Sequence, residues 1–373
     1  MGFHRIRTTL VIGLLAATAV WLNLHAPTLF FDTQMMIGGS LGIFALLQFG
    51  WPGLVVGLAA LAVTYVRWGH PFELIVGTGF LVWLQFFLVR FNGGRTNRGN
   101  GRILLAAVAY WLLLGFWLEV AFFGVAFGMD AVGALGLGLK ETVTSLSNVT
   151  FGFLLFAVVH AAQHGYETGG IRPRELTVGL VLASVTLPAM FLVYVLSLQV
   201  KDATLHALLT EMQATGAQAA SLVSDDAVRP AFPIAGGRSR HFAVRRDGGI
   251  IATSAPELFA RLARDYVEEA PSRTGNEGLR IYRPKTNAAV ITSDAESYLF
   301  TEVSLPATAA DLHGLQVTVV EPLNELVNLL DYQLILPSFS VILGFLVAGA
   351  VVGSVVDTVS YRRMQAEQSA KEA

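Results

Sequence analysis

The sequence predicts a multi-span α-helical membrane protein, about eight transmembrane helices, with one extracytoplasmic α+β domain set between the last two. Three observations predict it. Apolar residues make up 54% of the 373-residue chain and charged ones only 14%, with a mean hydropathy of +0.58. That leaves too little polar surface to clothe a soluble protein of this length. The charges concentrate in short loops, at both ends and in one polar, strand-rich stretch, roughly 201–332. That stretch lies between two long apolar runs, Leu176 to Leu198 and Leu334 to Val356. A net charge of -2 and the lack of a long Lys/Arg run argue against a nucleic-acid partner. The chain has no cysteine, which removes disulfides, thiolate metal sites and thiol catalysis together. An exported domain must then be stabilised by its core alone, and a bacterial inner (plasma) membrane fits best.

A bilayer core needs about 20 mainly apolar residues per helix. Eight segments approach that length: Thr9 to Leu24, Met35 to Phe49, Trp51 to Val66, Phe72 to Val89, Ile103 to Phe127, Val143 to Ala162, Leu176 to Leu198 and Leu334 to Val356. The second and third are short, and Pro52 between Gly50 and Gly53 favours a hairpin over one long helix. The expected divisions are a six-span module over 1–175, a helix over 176–200, the polar domain over 201–332, a helix over 333–356 and a cytoplasmic tail over 357–373. The first run lacks a small-residue cleavage site, so it reads as a retained span.

Arginine placement orients the helices. Arg5 and Arg7, the loop with Arg90, Arg95, Arg98 and Arg102, the pair Arg172 and Arg174, and the tail pair Arg362 and Arg363 all fall on one side if there are eight spans. The positive-inside rule makes that side the cytoplasm, with both termini, and puts residues 201–332 in the periplasmic or extracellular space.

The polar domain opens with a helix, Lys201 to about Ser224, whose Leu205, Leu208, Leu209, Met212 and Ala219 recur at helical spacing. His241 to Arg245 and Ile250 to Thr253 flank Asp247-Gly248-Gly249, a hairpin signal because Asp-Gly supplies the positive φ of a tight turn. Further strands are expected at Leu279 to Tyr282, Ala289 to Thr292, Tyr298 to Leu305 and Leu315 to Val320, with a helix over Leu258 to Val267.

The hairpin at Phe242 to Thr253 and the closing run Gly314 to Leu323 resemble an extracytoplasmic Cache-type, PAS-like sensor domain. The membrane part resembles the N-terminal multi-span region of bacterial sensor histidine kinases and diguanylate cyclases. The matching pieces are Gly38 to Gly57, Arg67-Trp68-Gly69-His70-Pro71, Tyr110 to Gly115, Leu139-Lys140-Glu141 and Asn148. The resemblance implies a two-component or related signal-transduction receptor. In such a receptor a small extracytoplasmic or membrane-associated ligand changes the relation of the last two spans, and a cytoplasmic output domain or signalling partner reads the change. After Val356 only Asp357 to Ala373 follow, too few residues for a kinase or cyclase, so the chain is expected not to be an enzyme. Tyr361 to Lys371 reads equally as a signalling helix, pairing two chains in a homodimer, or as a solvated tail.

An ionisable group at membrane depth costs roughly 2.5 to 3.5 kcal/mol on insertion scales, which marks candidate sites. Glu119 lies about 16 residues into the fifth span, hence in its outer half. Arg67, Trp68, His70, Glu73, Lys140 and Glu141 belong to the same outer side and would form a polar cup with it. The cup reads either as a ligand or ion site or as a structural ion pair of Glu119 with Lys140 or Arg67. In the polar domain the resemblance implies a ligand pocket on the sheet face, with Arg245, Arg280, Tyr282, Arg283 and Tyr298 as candidates. Each also reads as an ordinary exposed strand residue. Asn148 reads as an interhelical hydrogen-bonding residue. His241 and His313 form no metal-ligand spacing, so neither metal nor cofactor is expected. No nucleophile elbow or phosphate loop is present, His160 and His164 lack the acidic follower of a phosphoaccepting histidine, and Asn92 to Arg95 reads as a basic turn. A transporter or substrate-binding membrane component with its cup near Glu119 is the alternative function. A membrane enzyme or assembly factor using the exported domain as a scaffold is a third.

Overall fold

A computed structural model describes residues 2–30, 33–92, 102–126, 128–129, 131–168, 173–223, 240–246, 249–269, 279–284, 297–304, 315–323 and 331–372. The chain forms two compact units, one of Met1–Val195 with Asp331–Ala373 and one of Leu196–Leu330.

The first unit is helical: α1 (Gly2–Leu24), α2 (Gly39–Phe49), α3 (Leu54–Trp68), α4 (Phe72–Asn92), α5 (Arg102–Tyr110), α6 (Phe116–Ala126), α7 (Ala131–Thr168), the first part of α8 (Pro173–Val223) and α10 (Leu336–Glu372). A short antiparallel ribbon of β1 (Thr28–Phe30) and β2 (Thr33–Gln34) follows α1. Among the described residues seven helical stretches are long and apolar enough to cross a membrane: Ile6–Leu24, Trp51–Trp68, Phe72–Arg90, Ile103–Ala126, Ala131–Gln163, Gly179–Gln218 and Gln333–Val355. Large apolar side chains such as Leu14, Val66, Leu113 and Val125 stand exposed on these helices, an arrangement compatible with a lipid surround.

Two expectations need correction. The second apolar run yields only the 11-residue α2, too short for a full span of its own. The sixth helix begins at Ala131, twelve residues before the expected start, so Lys140 and Glu141 sit inside it. The apolar run alone marked that start, and the earlier helical residues are diluted by glycine.

The hairpin at Pro52 is present. Gly50 adopts φ of 65°, a left-handed conformation that costs glycine nothing, and Trp51–Gly53 form one 3-10 turn into α3. A Cβ on Gly42 would lie 2.6 Å from the Gly57 Cα, so a glycine at 42 lets α2 and α3 touch, while a Cβ on Gly57 would run into Leu81 of α4. Asn23 Nδ2 donates to the Ala60 carbonyl at 2.9 Å, and Arg67 Nη2 to the Leu24 carbonyl at 2.5 Å, so the C-terminal ends of α1 and α3 lie together. α1 and α3 are therefore parallel, with α2 as the return leg. Trp83 Nε1 donates to Ala106 O and Tyr110 Oη to Val76 O, which makes α4 and α5 antiparallel. Gly138 packs on Phe116 and Val120, and Gly124 on Ala134, which makes α6 and α7 antiparallel too. Following these directions, the start of α1, the end of α4, the start of α5 and the end of α7 share one end of the unit. Arg7, Arg90 and Arg102 thus gather there even though α2 is short.

The second unit is an antiparallel sheet of six strands in the order β4-β3-β8-β7-β6-β5. They are β3 (His241–Arg246), β4 (Gly249–Thr253), β5 (Tyr266–Glu269), β6 (Leu279–Pro284), β7 (Tyr298–Ser304) and β8 (Leu315–Pro322), with α9 (Pro256–Asp265) between β4 and β5. The first hairpin holds one edge, α9 carries the chain to the other, and a meander returns β8 to the middle beside β3. The alternation of the strands buries both faces. Ala243, Phe300 and Val320 pack against Phe259 and Leu262 of α9, with Tyr266 beside them. Phe242, Val244, Leu299, Val317 and Val319 are buried on the opposite face, where Gly216 of α8 lies against Val303 and Val319. Leu205, Leu208, Leu209 and Met212 of α8 are buried at the spacing their sequence predicted. The expected Asp247-Gly248 turn and the strand at Ala289 to Thr292 lie outside the described residues. The β1–β2 ribbon was too short to register as apolar alternation, and the helix expected over Leu258 to Val267 runs instead from Pro256 to Asp265, with Tyr266 and Val267 opening β5.

Candidate functional site

In the first unit the loop between α3 and α4, the first turn of α4, the N-terminal half of α6 and the N-terminal third of α7 meet around buried charge. A π-helical turn, Trp111–Gly115, links α5 to α6 and re-aims the helix after it. Trp117 and Leu118 then stand exposed while Glu119 is 0% exposed. Glu73, on the first turn of α4, is also buried, and its carboxyl faces that of Glu119. Lys140 is 2% exposed, forms an ion pair with Glu141 and holds its ammonium 5.5 Å from the centre of the Trp68 ring.

Aromatic rings wall the cluster. Phe72 stacks on Phe122 at 3.7 Å, His70 lies 5.4 Å from Phe122 and 6.3 Å from Phe123, and Trp68 stacks on His70 at 6.3 Å. Burial pushes the His70 imidazole below its ordinary range, so at neutral pH it presents an uncharged ring rather than a counter-charge to the carboxylates.

Of the seven residues expected in this cup, six come together. Arg67 does not join them, because its guanidinium donates to the carbonyl end of α1, as cations at helix C-termini do. Lys140 pairs with Glu141 rather than forming the expected ion pair with Glu119. Phe72, Phe122 and Phe123 were not singled out from the sequence, where aromatics in an apolar run carry no mark of a shared site. Asn148 Nδ2 donates to Met36 O at 2.9 Å, joining α7 to the residues before α2.

In the second unit, register places Arg245, Arg280, Tyr282 and Tyr298 on one sheet face. Tyr282 pairs with Tyr298, Arg280 with Phe300, Phe300 with Val320, and Thr318 with both Ala243 and Glu302. Tyr282 stacks on Phe300 at 4.0 Å, and Tyr298 accepts a hydrogen bond from Arg261 of α9 at 2.9 Å, so both tyrosines serve the core under α9. Arg245 lies 3.6 Å from Glu302 across the Thr318 position. Arg283 pairs with Val267 in register, and its side chain lies outside the described residues.

A clamp on the other face carried no mark in the sequence. Arg240 Nε donates to Glu321 Oε2 of β8 at 2.8 Å, and its Nη2 lies 2.9 Å from Glu211 Oε1 of α8. Burial opposes the Arg240 charge, but Glu321 and then Glu211 more than offset it and hold its pKa above the ordinary arginine value. Among the described residues no three His, Asp or Glu side chains converge as a metal ion needs.

Comparison with known proteins finds no matching family model, no matching curated relative and no matching solved structure.

Proposed function

We propose that the chain is the sensory portion of a bacterial inner-membrane receptor. Residues 196–330 respond to a small extracytoplasmic ligand, and α8 and α10 pass the response to a cytoplasmic output domain or partner, with two chains paired. The observation that carries this reading is the Arg240 clamp. It ties α8, by which the chain enters the second unit, to β8, the last strand before the chain returns toward α10. α8 runs unbroken from Pro173 to Val223 and α10 from Leu336 to Glu372, so each end of the sheet unit continues in sequence as a long helix. A change in sheet curvature at β8 would therefore reach both helices. The strand order, with first and last strands side by side in the sheet, supports the PAS-like reading, and the basic residues at one end of the first unit support an orientation with both termini in the cytoplasm.

The test is a thermal-unfolding screen of the full chain in detergent against amino acids, carboxylates and small amines. A ligand that binds only the folded state raises the midpoint. The expected result is a rise with one such class, together with a change in distance between spin labels on α10 in paired chains. Concentrative uptake of a labelled solute into vesicles, with no change on α10, would replace this reading with a transporter. The buried carboxyl contact of Glu73 and Glu119 is the observation that favours that second reading.

A further inference from the structure

The cluster around Glu119 is short of positive charge. Three carboxyl groups, Glu73, Glu119 and Glu141, share the electrostatic reach of one ammonium, Lys140. That ammonium is already engaged, by Glu141 on the same helix and by the face of Trp68. His70 stands in the aromatic wall, where burial disfavours its charged form. The Tyr110 hydroxyl, which also feels Glu119, donates to the Val76 carbonyl. Arg67 is turned toward the end of α1.

Neither oxygen of the fully buried Glu119 side chain meets a hydrogen-bond donor. What faces it is another carboxyl, that of Glu73. An ionised carboxylate only accepts hydrogen bonds, so two such groups in contact need a positive charge between them. Burying the pair without one would cost several kcal/mol for each ion. The aromatic wall of Phe72, Phe122 and Phe123 suits the same occupant, because ring faces carry partial negative charge. Farther along α7, Thr144 and Ser147 follow Lys140 at four and seven residues, one helical face. Both are buried with hydroxyl oxygens that make no hydrogen bond, on the same face of α7 as Lys140. A divalent ion is a poor fit, since no three carboxylate or imidazole ligands converge among the described residues.

We infer that Glu73 and Glu119 bind one monovalent cation between their carboxyl groups, either a proton or an alkali ion. The inference stands apart from the sensor reading: it concerns residues of the first unit only and needs no response from residues 196–330.

The experiment follows thermal unfolding of the full chain in detergent while sodium or potassium replaces choline at constant ionic strength, at mildly acidic and mildly alkaline pH. If the occupant is an alkali ion, the midpoint rises by several degrees and saturates with sodium or potassium at alkaline pH. If it is a proton, the midpoint rises on acidification in choline alone. Either response is expected to vanish in both E73Q and E119Q and to persist in E257Q, on the other unit. In the proton case the infrared carbonyl band of a neutral carboxylic acid is present in the wild type and is shifted or lost in both E73Q and E119Q. A wild-type midpoint indifferent to both pH and alkali ions overturns the inference, and so does a response that survives in E119Q. Should both glutamine variants fail to fold, the wild type still tests the inference: a midpoint that ignores alkali ions at alkaline pH, with no infrared band of a neutral carboxylic acid, overturns it.

Discussion

Arg240 reaches from the start of β3 to Glu321 near the end of β8, 81 residues later, and bonds it at 2.8 Å with both side chains nearly shut off from solvent. Its second carboxylate, Glu211, belongs to α8 and is half exposed. A guanidinium suits this place because its rigid fork meets two acceptors in fixed directions, which a lysine would not.

Replacing Arg240 by Met leaves Glu321 buried without its counter-charge. The expected loss is about 3–5 kcal/mol of unfolding free energy for the second unit, read by denaturant titration of the full chain. The double variant R240M/E321M is expected to regain most of it. If R240M alone is neutral, the clamp does not hold the sheet to α8.

Lys140→Met removes the one ammonium from the Glu73, Glu119 and Glu141 cluster. A loss on the order of 3 kcal/mol is expected, partly restored when Glu141→Gln removes a negative charge with it. Thermal unfolding in detergent measures both. Equal stability of K140M and wild type would mean that the ion pair contributes nothing net.

Gly42→Val drives side-chain atoms into the Gly57 backbone, which a hypothetical Cβ already approaches to 2.6 Å. Overpacking of this kind costs about 1–3 kcal/mol. The α2–α3 hairpin is expected to become protease-sensitive in G42V, and unchanged cleavage would argue against the close crossing.

His241 carries an imidazole whose pKa is pushed below the ordinary value by burial. The unfolded chain therefore binds the proton more readily than the folded one. Stability from this group is complete above the ordinary histidine pKa of about 6.5 and falls as pH drops below it toward the folded value. H241Q is expected to flatten that part of the stability profile between neutral and mildly acidic pH. A parallel profile in H241Q would assign the acid sensitivity elsewhere.

The chain has no cysteine, so single cysteines report sidedness cleanly. With the proposed orientation, a membrane-impermeant maleimide labels E257C in intact cells and labels N97C only after lysis. The reverse pattern would invert the orientation.

The helical membrane-like part was legible from local signals, because apolar length and arginine position are properties of single segments. The short α2 blurred the span count, but the parallel contact of α1 with α3 preserved the parity on which the arginine argument rests. Strands of the sheet unit were visible where alternation was strong, as at His241 to Arg245 and Leu315 to Val320. β5 was missed because Tyr266–Glu269 shows no alternation of its own and is held by pairing with β6. For the cup, costly ions in apolar runs marked Glu119 and Lys140, and neighbouring loops supplied Trp68, His70 and Glu73.

The sequence by itself determined which residues are too polar for their surroundings, since that cost attaches to each residue wherever the helix packs. Only the tertiary structure decided who meets whom. A π-helical turn rotated Glu119 onto Glu73, the end of α1 drew Arg67 away, and sheet register carried Arg240 to Glu321. Such pairings join positions far apart in the chain, and their energies exist only once the helices and strands have come together.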